Sequence, residues 1–172
     1  MKKIVPERKK LRLDHHNYSS QGAYFVTVCT QDKTTRLSEI VPAQVGDGAH
    51  DVPFTLLTEL GEIVQKNLLS SEKIPGVKVD QYVIMPDHIH VIFFLYPEQY
   101  TNVSLGTSRA PSPTNEMLPH VISAFKRFCN KEIGRNIFQR GYYEHVIRDR
   151  TDYEGKVNYI SNNPIRRYYN TP

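Results

Sequence analysis

The sequence predicts an α+β fold: a ferredoxin-like βαββαβ sandwich, in which two helices cover one face of an antiparallel sheet, with a further helix added at the C-terminus. Three observations predict it. Residues 77–84 and 88–95 are runs rich in β-branched and aromatic residues, separated only by Met85-Pro86-Asp87, as in a hairpin. Two stretches, 56–68 and 118–129, repeat apolar residues every three or four positions, as amphipathic helices do. Flanking strand-like runs at 23–30 and 141–147 complete the order strand, helix, strand, strand, helix, strand, helix.

The elements follow in order. Residues 1–22 read as a basic arm ending in a turn at Ser19-Ser20-Gln21-Gly22. Ala23 to Thr30 is strand-like in composition. The stretch 41–53, with two Gly and two Pro, reads as a surface loop. Leu56, Leu57, Leu60, Ile63, Val64 and Leu68 share one helical face, and Thr58 is the candidate N-cap. Pro86 fixes the turn between the two central strands because it removes a donor. Residues 97–117, polar with three Pro, read as a flexible loop. Leu118, Val121, Ile122, Phe125, Phe128 and Cys129 form the second helical stripe, with Pro119 near its start and Gly134 suited to its end. The last helix opens at Thr151, with Glu154 three residues on in the capping-box pattern, and runs to about Asn162, before Asn163-Pro164.

A chain of 172 residues is long enough for one domain with a sizeable core. No run approaches a membrane span, and the basic start Met1-Lys2-Lys3 lacks the apolar centre of a signal peptide, so a cytoplasmic, nucleoid-associated location is expected. Net charge is +4 and the pI about 9.0. Basic residues cluster at 2–12, at Lys126-Arg127 and Lys131, at Arg148 and Arg150, and at Arg166-Arg167, several near aromatics, a mixture that suits phosphates and unstacked bases. Cys29 and Cys129 read as free thiols within a strand and a helix.

Two features carry chemistry. His88 and His90 lie two apart in a strand, so both imidazoles stand on one rigid face with Ile89 turned away, a ready pair of metal ligands. On the last helix, Tyr153, Val157 and Ile160 form the packing stripe, and Tyr159 and Asn163, one turn apart, lie together off that stripe. Gly155, one turn before Tyr159, leaves room for a ligand, and Lys156 adjoins it. A metal on His88 and His90 still needs oxygen ligands, which Asn163 and a substrate phosphate could supply. Tyr159 is then the candidate nucleophile. A phosphotyrosine ester conserves the energy of the broken bond, so strands can be rejoined without ATP.

The chain resembles the single-tyrosine HUH transposases, specifically the REP-associated tyrosine transposases. The resemblance rests on Gly22-Ala23-Tyr24-Phe25-Val26-Thr27-Val28-Cys29-Thr30, on Tyr82-Val83-Ile84-Met85-Pro86-Asp87-His88-Ile89-His90, on Phe138-Gln139-Arg140-Gly141-Tyr142-Tyr143-Glu144-His145-Val146-Ile147-Arg148-Asp149 and on Tyr159-Ile160-Ser161-Asn162-Asn163-Pro164. With the helices between them these segments cover most of residues 8–167. The resemblance implies a nuclease that cuts single-stranded DNA, often beside a hairpin, with Mg²⁺ or Mn²⁺. It implies that Tyr159 becomes joined to a 5′-phosphate and leaves a free 3′-hydroxyl. It implies metal ligation by His88, His90 and Asn163. A self-sufficient monomer is expected over a homodimer, with no membrane partner.

Lys126, Arg148, Lys156 and the arm residues Arg8, Lys9 and Lys10 are the candidate DNA contacts. Two other readings stay open on residue types alone. One is a non-catalytic single-stranded nucleic-acid-binding module, stacking bases on a ferredoxin-like sheet. The other is a zinc hydrolase using the same histidines, although no acid or third histidine stands at a convincing ligand spacing.

Overall fold

The computed structural model describes residues 21–32, 35–42, 52–96 and 117–170. Its elements are β1 (Gly22–Cys29), β2 (Ser38–Val41), β3 (Phe54–Leu57), α1 (Glu59–Leu69) with a 3₁₀ turn at Ser70–Lys73, β4 (Val77–Ile84), β5 (His88–Leu95), α2 (Met117–Ile133), β6 (Tyr143–Ile147) and α3 (Arg150–Tyr169). The main sheet runs β4-β5-β1-β6 with every neighbouring pair antiparallel, the strand order of a ferredoxin-like sheet. The expected βαββαβ unit and its extra helix are therefore present.

Alternation along β5 sorts the two faces. Ile89, Val91, Phe93 and Leu95 point into the main core, where they meet Val64 and Leu68 of α1 and Leu118, Val121, Ile122 and Phe125 of α2. Each such side chain, fully buried, contributes on the order of 1.5–3 kcal/mol. Ile92 and Phe94 point the other way and join Phe25 and Ile147 under Tyr153, Val157 and Ile160 of α3. The stripe expected on the last helix is thus the one that packs. His88 and His90 continue this second face past the end of the apolar patch.

β4 carries a bulge: Val79 pairs with Phe93 and Tyr82 with Val91, so two residues oppose one. The extra residue returns Tyr82 and Ile84 to the main core. It also leaves Asp80 to accept a 2.6 Å hydrogen bond from Tyr153 Oη, which ties α3 to the sheet edge.

Three expectations need correction. First, Leu56 and Leu57 are not helical but lie in β3, which pairs with β2 as a separate hairpin between β1 and α1. Thr58 is the N-cap as expected, its Oγ1 accepting from Gly61 N–H at 3.2 Å, and a cap ends the helix on its upstream side. Second, α3 is capped by Asp149, whose carboxylate accepts from Asp152 N–H at 2.9 Å, and not by Thr151. Third, α3 does not stop at Asn162 but runs through Pro164 to Tyr169. A proline inside a helix costs about 3 kcal/mol, and here Ile160, Asn163 and Pro164 are all buried, so packing outweighs that cost.

Gly61 has no room for a side chain: a Cβ there would stand 1.9 Å from the Leu37 carbonyl oxygen. That oxygen also accepts from Thr58 N–H and Thr58 Oγ1, so it cannot yield. Gly61→Ala is expected to cost about 1–3 kcal/mol, read as a lower urea midpoint at unchanged m-value. An unchanged midpoint would contradict the hairpin's docking on α1.

Candidate functional site

The site forms where β5, β1 and α3 meet. The Pro86-Asp87 turn opens β5, with Met85 N–H donating to the His88 carbonyl at 2.8 Å. His88 and His90 then share one face, their ring centroids 4.5 Å apart. Helix α3 crosses above them. The Tyr159 ring stands edge-on to His90 at 5.1 Å and to Phe25 at 5.9 Å. Two turns on, Arg167 reaches Asp87, with Nη2 3.6 Å from Oδ2. Asn163 lies on the same helical face midway between these contacts, and it is buried. The structure thus brings together Tyr159, His90, His88 and, between Tyr159 and Arg167 on α3, Asn163.

Both imidazoles are oriented by neighbours. His88 Nδ1–H donates to Asp87 Oδ1 at 2.7 Å, so in the neutral ring Nε2 would be the atom free to accept. The same hydrogen bond, with the charges of His88 and Arg167, outweighs partial burial and holds the Asp87 carboxyl below its usual range. His90 Nδ1 lies 2.8 Å from Thr27 Oγ1 on β1, its register partner. His90 is 5% exposed, and its Nε2 is buried with no hydrogen-bond partner among the described residues. Burial first, and then the charge of His88, pushes its pKa down to about 3. A neutral His90 with its proton on Nδ1 presents an unused lone pair at Nε2, the electronic state that a metal ligand needs.

An orphaned, buried acceptor beside a carboxylate-oriented histidine fits a divalent cation. Among the described residues, however, no group of three or more His, Cys, Asp or Glu side chains is arranged to hold a metal. Two imidazoles alone leave the coordination sphere open, so oxygen donors from Asn163 and from a ligand would have to complete it.

No family model matches the chain. An uncharacterized protein of Haemophilus influenzae is 30% identical over 172 residues, covering 94% of this chain and 90% of that protein. A second protein of that organism, provisionally named a REP-associated tyrosine transposase, is 27% identical over 154 residues, 89% of this chain and 76% of its own length. The REP-associated tyrosine transposase of Escherichia coli K12 is 27% identical over 111 residues, 64% of this chain and 58% of its own length. The chain is similar to the REP-associated tyrosine transposases. The fold agrees: a solved REP-associated tyrosine transposase bound to a REP hairpin superposes with a TM-score of 0.60 at 19% identity, over 90% of this chain and 74% of that one.

Of the residues expected to contact DNA, Lys156 lies at the site, its Nζ 5.3 Å from the centroid of the Phe25 ring. Arg148 follows β6 at an exposed position, its N–H donating to Asp152 Oδ2 at 3.2 Å. Lys126 is engaged elsewhere. Its ammonium donates to the carbonyls of Gln139 and Gly141, at 2.9 and 2.7 Å, and burial pushes its pKa down to about 8. Arg8, Lys9 and Lys10 lie outside the described residues, as do most of the two loops expected at 41–53 and 97–117. Cys29 and Cys129 are free thiols, as expected. No helix among the described residues is long and apolar enough to cross a membrane.

Sequence reasoning missed three participants. Asp87 was read only as a turn residue, although an acid directly before a ligand-like histidine can orient its ring. Thr27 orients His90 across strands, a pairing that no local pattern reveals. Arg167 joins the site only because α3 continues past Pro164.

Proposed function

We propose that this protein is a transposase that cuts and rejoins single-stranded DNA at hairpin-forming repeats, with Tyr159 as the nucleophile. The observation that carries the reading is the contact of the Tyr159 ring with His90, whose buried Nε2 has no hydrogen-bond partner among the described residues. In the step proposed, Tyr159 Oη forms a bond to the scissile phosphorus and releases its proton to water. The bond from phosphorus to the 3′ oxygen breaks, and that oxygen leaves as a free 3′-hydroxyl after taking a proton from water. The strand remains joined to Tyr159 through a 5′-phosphotyrosine ester, and attack by another 3′-hydroxyl reverses the step and reseals the DNA.

His88 Nε2, His90 Nε2 and the side-chain oxygen of Asn163 would hold a divalent ion, Mg²⁺ or Mn²⁺, which when bound neutralises charge on the phosphate. Imidazole ligands favour the softer Mn²⁺. Asp87 and Thr27 keep each ring turned toward the site, and Lys156 adds positive charge beside Tyr159. A monomer suffices, since Tyr159 meets the histidines within one chain.

The test is a denaturing gel after incubation with a single-stranded hairpin oligonucleotide and Mn²⁺ or Mg²⁺. A protein–DNA band that disappears with chelator is expected. Binding without any cleavage would favour the non-catalytic module, and cleavage without a covalent band would favour attack by water. Asp87→Asn should lower adduct formation about 10–100-fold, the cost of losing the partner that orients a metal-binding histidine. A rate equal to that of the parent would remove Asp87 from the account.

A further inference from the structure

Helix α3 packs across the sheet face from β4 and β5 to Phe25 of β1 and Ile147 of β6, and the β6 end of that face at Tyr143 is exposed. Strand register fixes what stands there. Thr27 on β1 pairs with His90 on one side and with Tyr143 of β6 on the other. Cross-strand partners project from the same face, so His90, Thr27 and Tyr143 form one row across three strands. At the usual strand spacing, Tyr143 stands about 10 Å from His90. In that row Thr27 stands between them, and Tyr143 is 55% exposed. Tyr143 thus stands exposed on this sheet face, level with the candidate site.

The charges around this shelf suit one occupant. Lys156 flanks it from α3, with its ammonium above Phe25, whose register partner on β6 is His145. Arg148 follows the end of β6. Asp152, the carboxylate beside the shelf, already accepts from His145 Nε2 and from Arg148 N–H, so it is engaged. Both cations lie toward the C-terminal end of β6 from Tyr143, and an exposed flat aromatic beside cations is how proteins hold unpaired nucleotides: the ring stacks on a base while the cations meet phosphates.

We propose that Tyr143 is a stacking platform for an unpaired base of the DNA strand that crosses β1 and β6 on its way to Tyr159, with Lys156 at the adjoining phosphate. The proposal rests on the single-stranded DNA reading above and names where the strand lies. Stacking tolerates any base, so the platform would position the strand without setting its sequence.

The experiment measures binding by fluorescence anisotropy in EDTA, in a Tyr159→Phe background, so that neither metal nor nucleophile contributes. The probes are dT12 and an abasic strand of the same length. The parent should bind dT12 more tightly than the abasic strand. Tyr143→Ala should weaken dT12 binding roughly 5- to 100-fold and leave abasic binding unchanged, while Tyr143→Phe and Tyr143→Trp should retain the parent's affinity. Equal binding of both probes by the parent, no loss in Tyr143→Ala, or the same loss on both probes would each overturn the proposal. Covalent adduct formation on a hairpin oligonucleotide is scored separately, so failure of the nucleophile assignment and failure of the platform give different results.

Discussion

Tyr159→Phe should bind single-stranded DNA as the parent does and form no covalent adduct with it. The substitution removes one oxygen and keeps the ring, so the edge contacts with His90 and Phe25 remain. Tyr159 is 38% exposed, so losing the hydroxyl leaves no buried partner unpaired, and stability should stay within about 0.5 kcal/mol of the parent. Adduct formation should fall by at least about a thousandfold, the scale of removing a nucleophile. Nearby tyrosines cannot substitute. Tyr153 Oη is committed to Asp80 across the sheet, and Tyr168 and Tyr169 lie more than two turns farther along α3. A Tyr159→Phe protein that still forms the covalent band would transfer the nucleophile to another residue.

His90→Ala should have the second largest effect, and it separates a ligand from a packing residue. Its Nε2 is buried and has no hydrogen-bond partner among the described residues, so their packing gains no hydrogen bond from that atom. If the nitrogen holds a cation, Mn²⁺ should raise the melting temperature of the parent by linkage, worth about 2.7 kcal/mol at a hundredfold excess over the dissociation constant. That shift should vanish in His90→Ala, and adduct formation should fall by more than the roughly 100-fold upper limit for an orienting residue. Differential scanning calorimetry with and without Mn²⁺ reads the first effect without any DNA. A Mn²⁺ shift that persists in His90→Ala would leave the histidine a packing role only.

The sheet and its two covering helices were legible because their signals are local. The β5 alternation that buries Ile89, Val91 and Phe93 also places His88 and His90 on the opposite face, so one pattern gave both the strand and the candidate ligands. The stripe of Tyr153, Val157 and Ile160 likewise fixed the direction in which Tyr159 points. What was missed depends on partners distant in sequence. Leu56 and Leu57 fit a helical period, yet they pair with Ser38 and Glu39 in a hairpin that no window around residue 56 contains. Asn163-Pro164 reads locally as a helix stop, and only burial of both residues carries α3 onward to Arg167. Lys126 looks like a surface charge in sequence, but its acceptors lie 13 and 15 residues away on the segment before β6. The role of Thr27 emerges only from the register of β1 against β5.

The measurement that bears most directly on the account is mass spectrometry of the trapped adduct. The protein is incubated with a hairpin oligonucleotide and Mn²⁺, digested with nuclease and protease, and the modified peptide is sequenced. A nucleotide joined through its 5′-phosphate to Tyr159 is the expected result. A nucleotide on any other side chain, or cleaved DNA with no modified peptide, would contradict it.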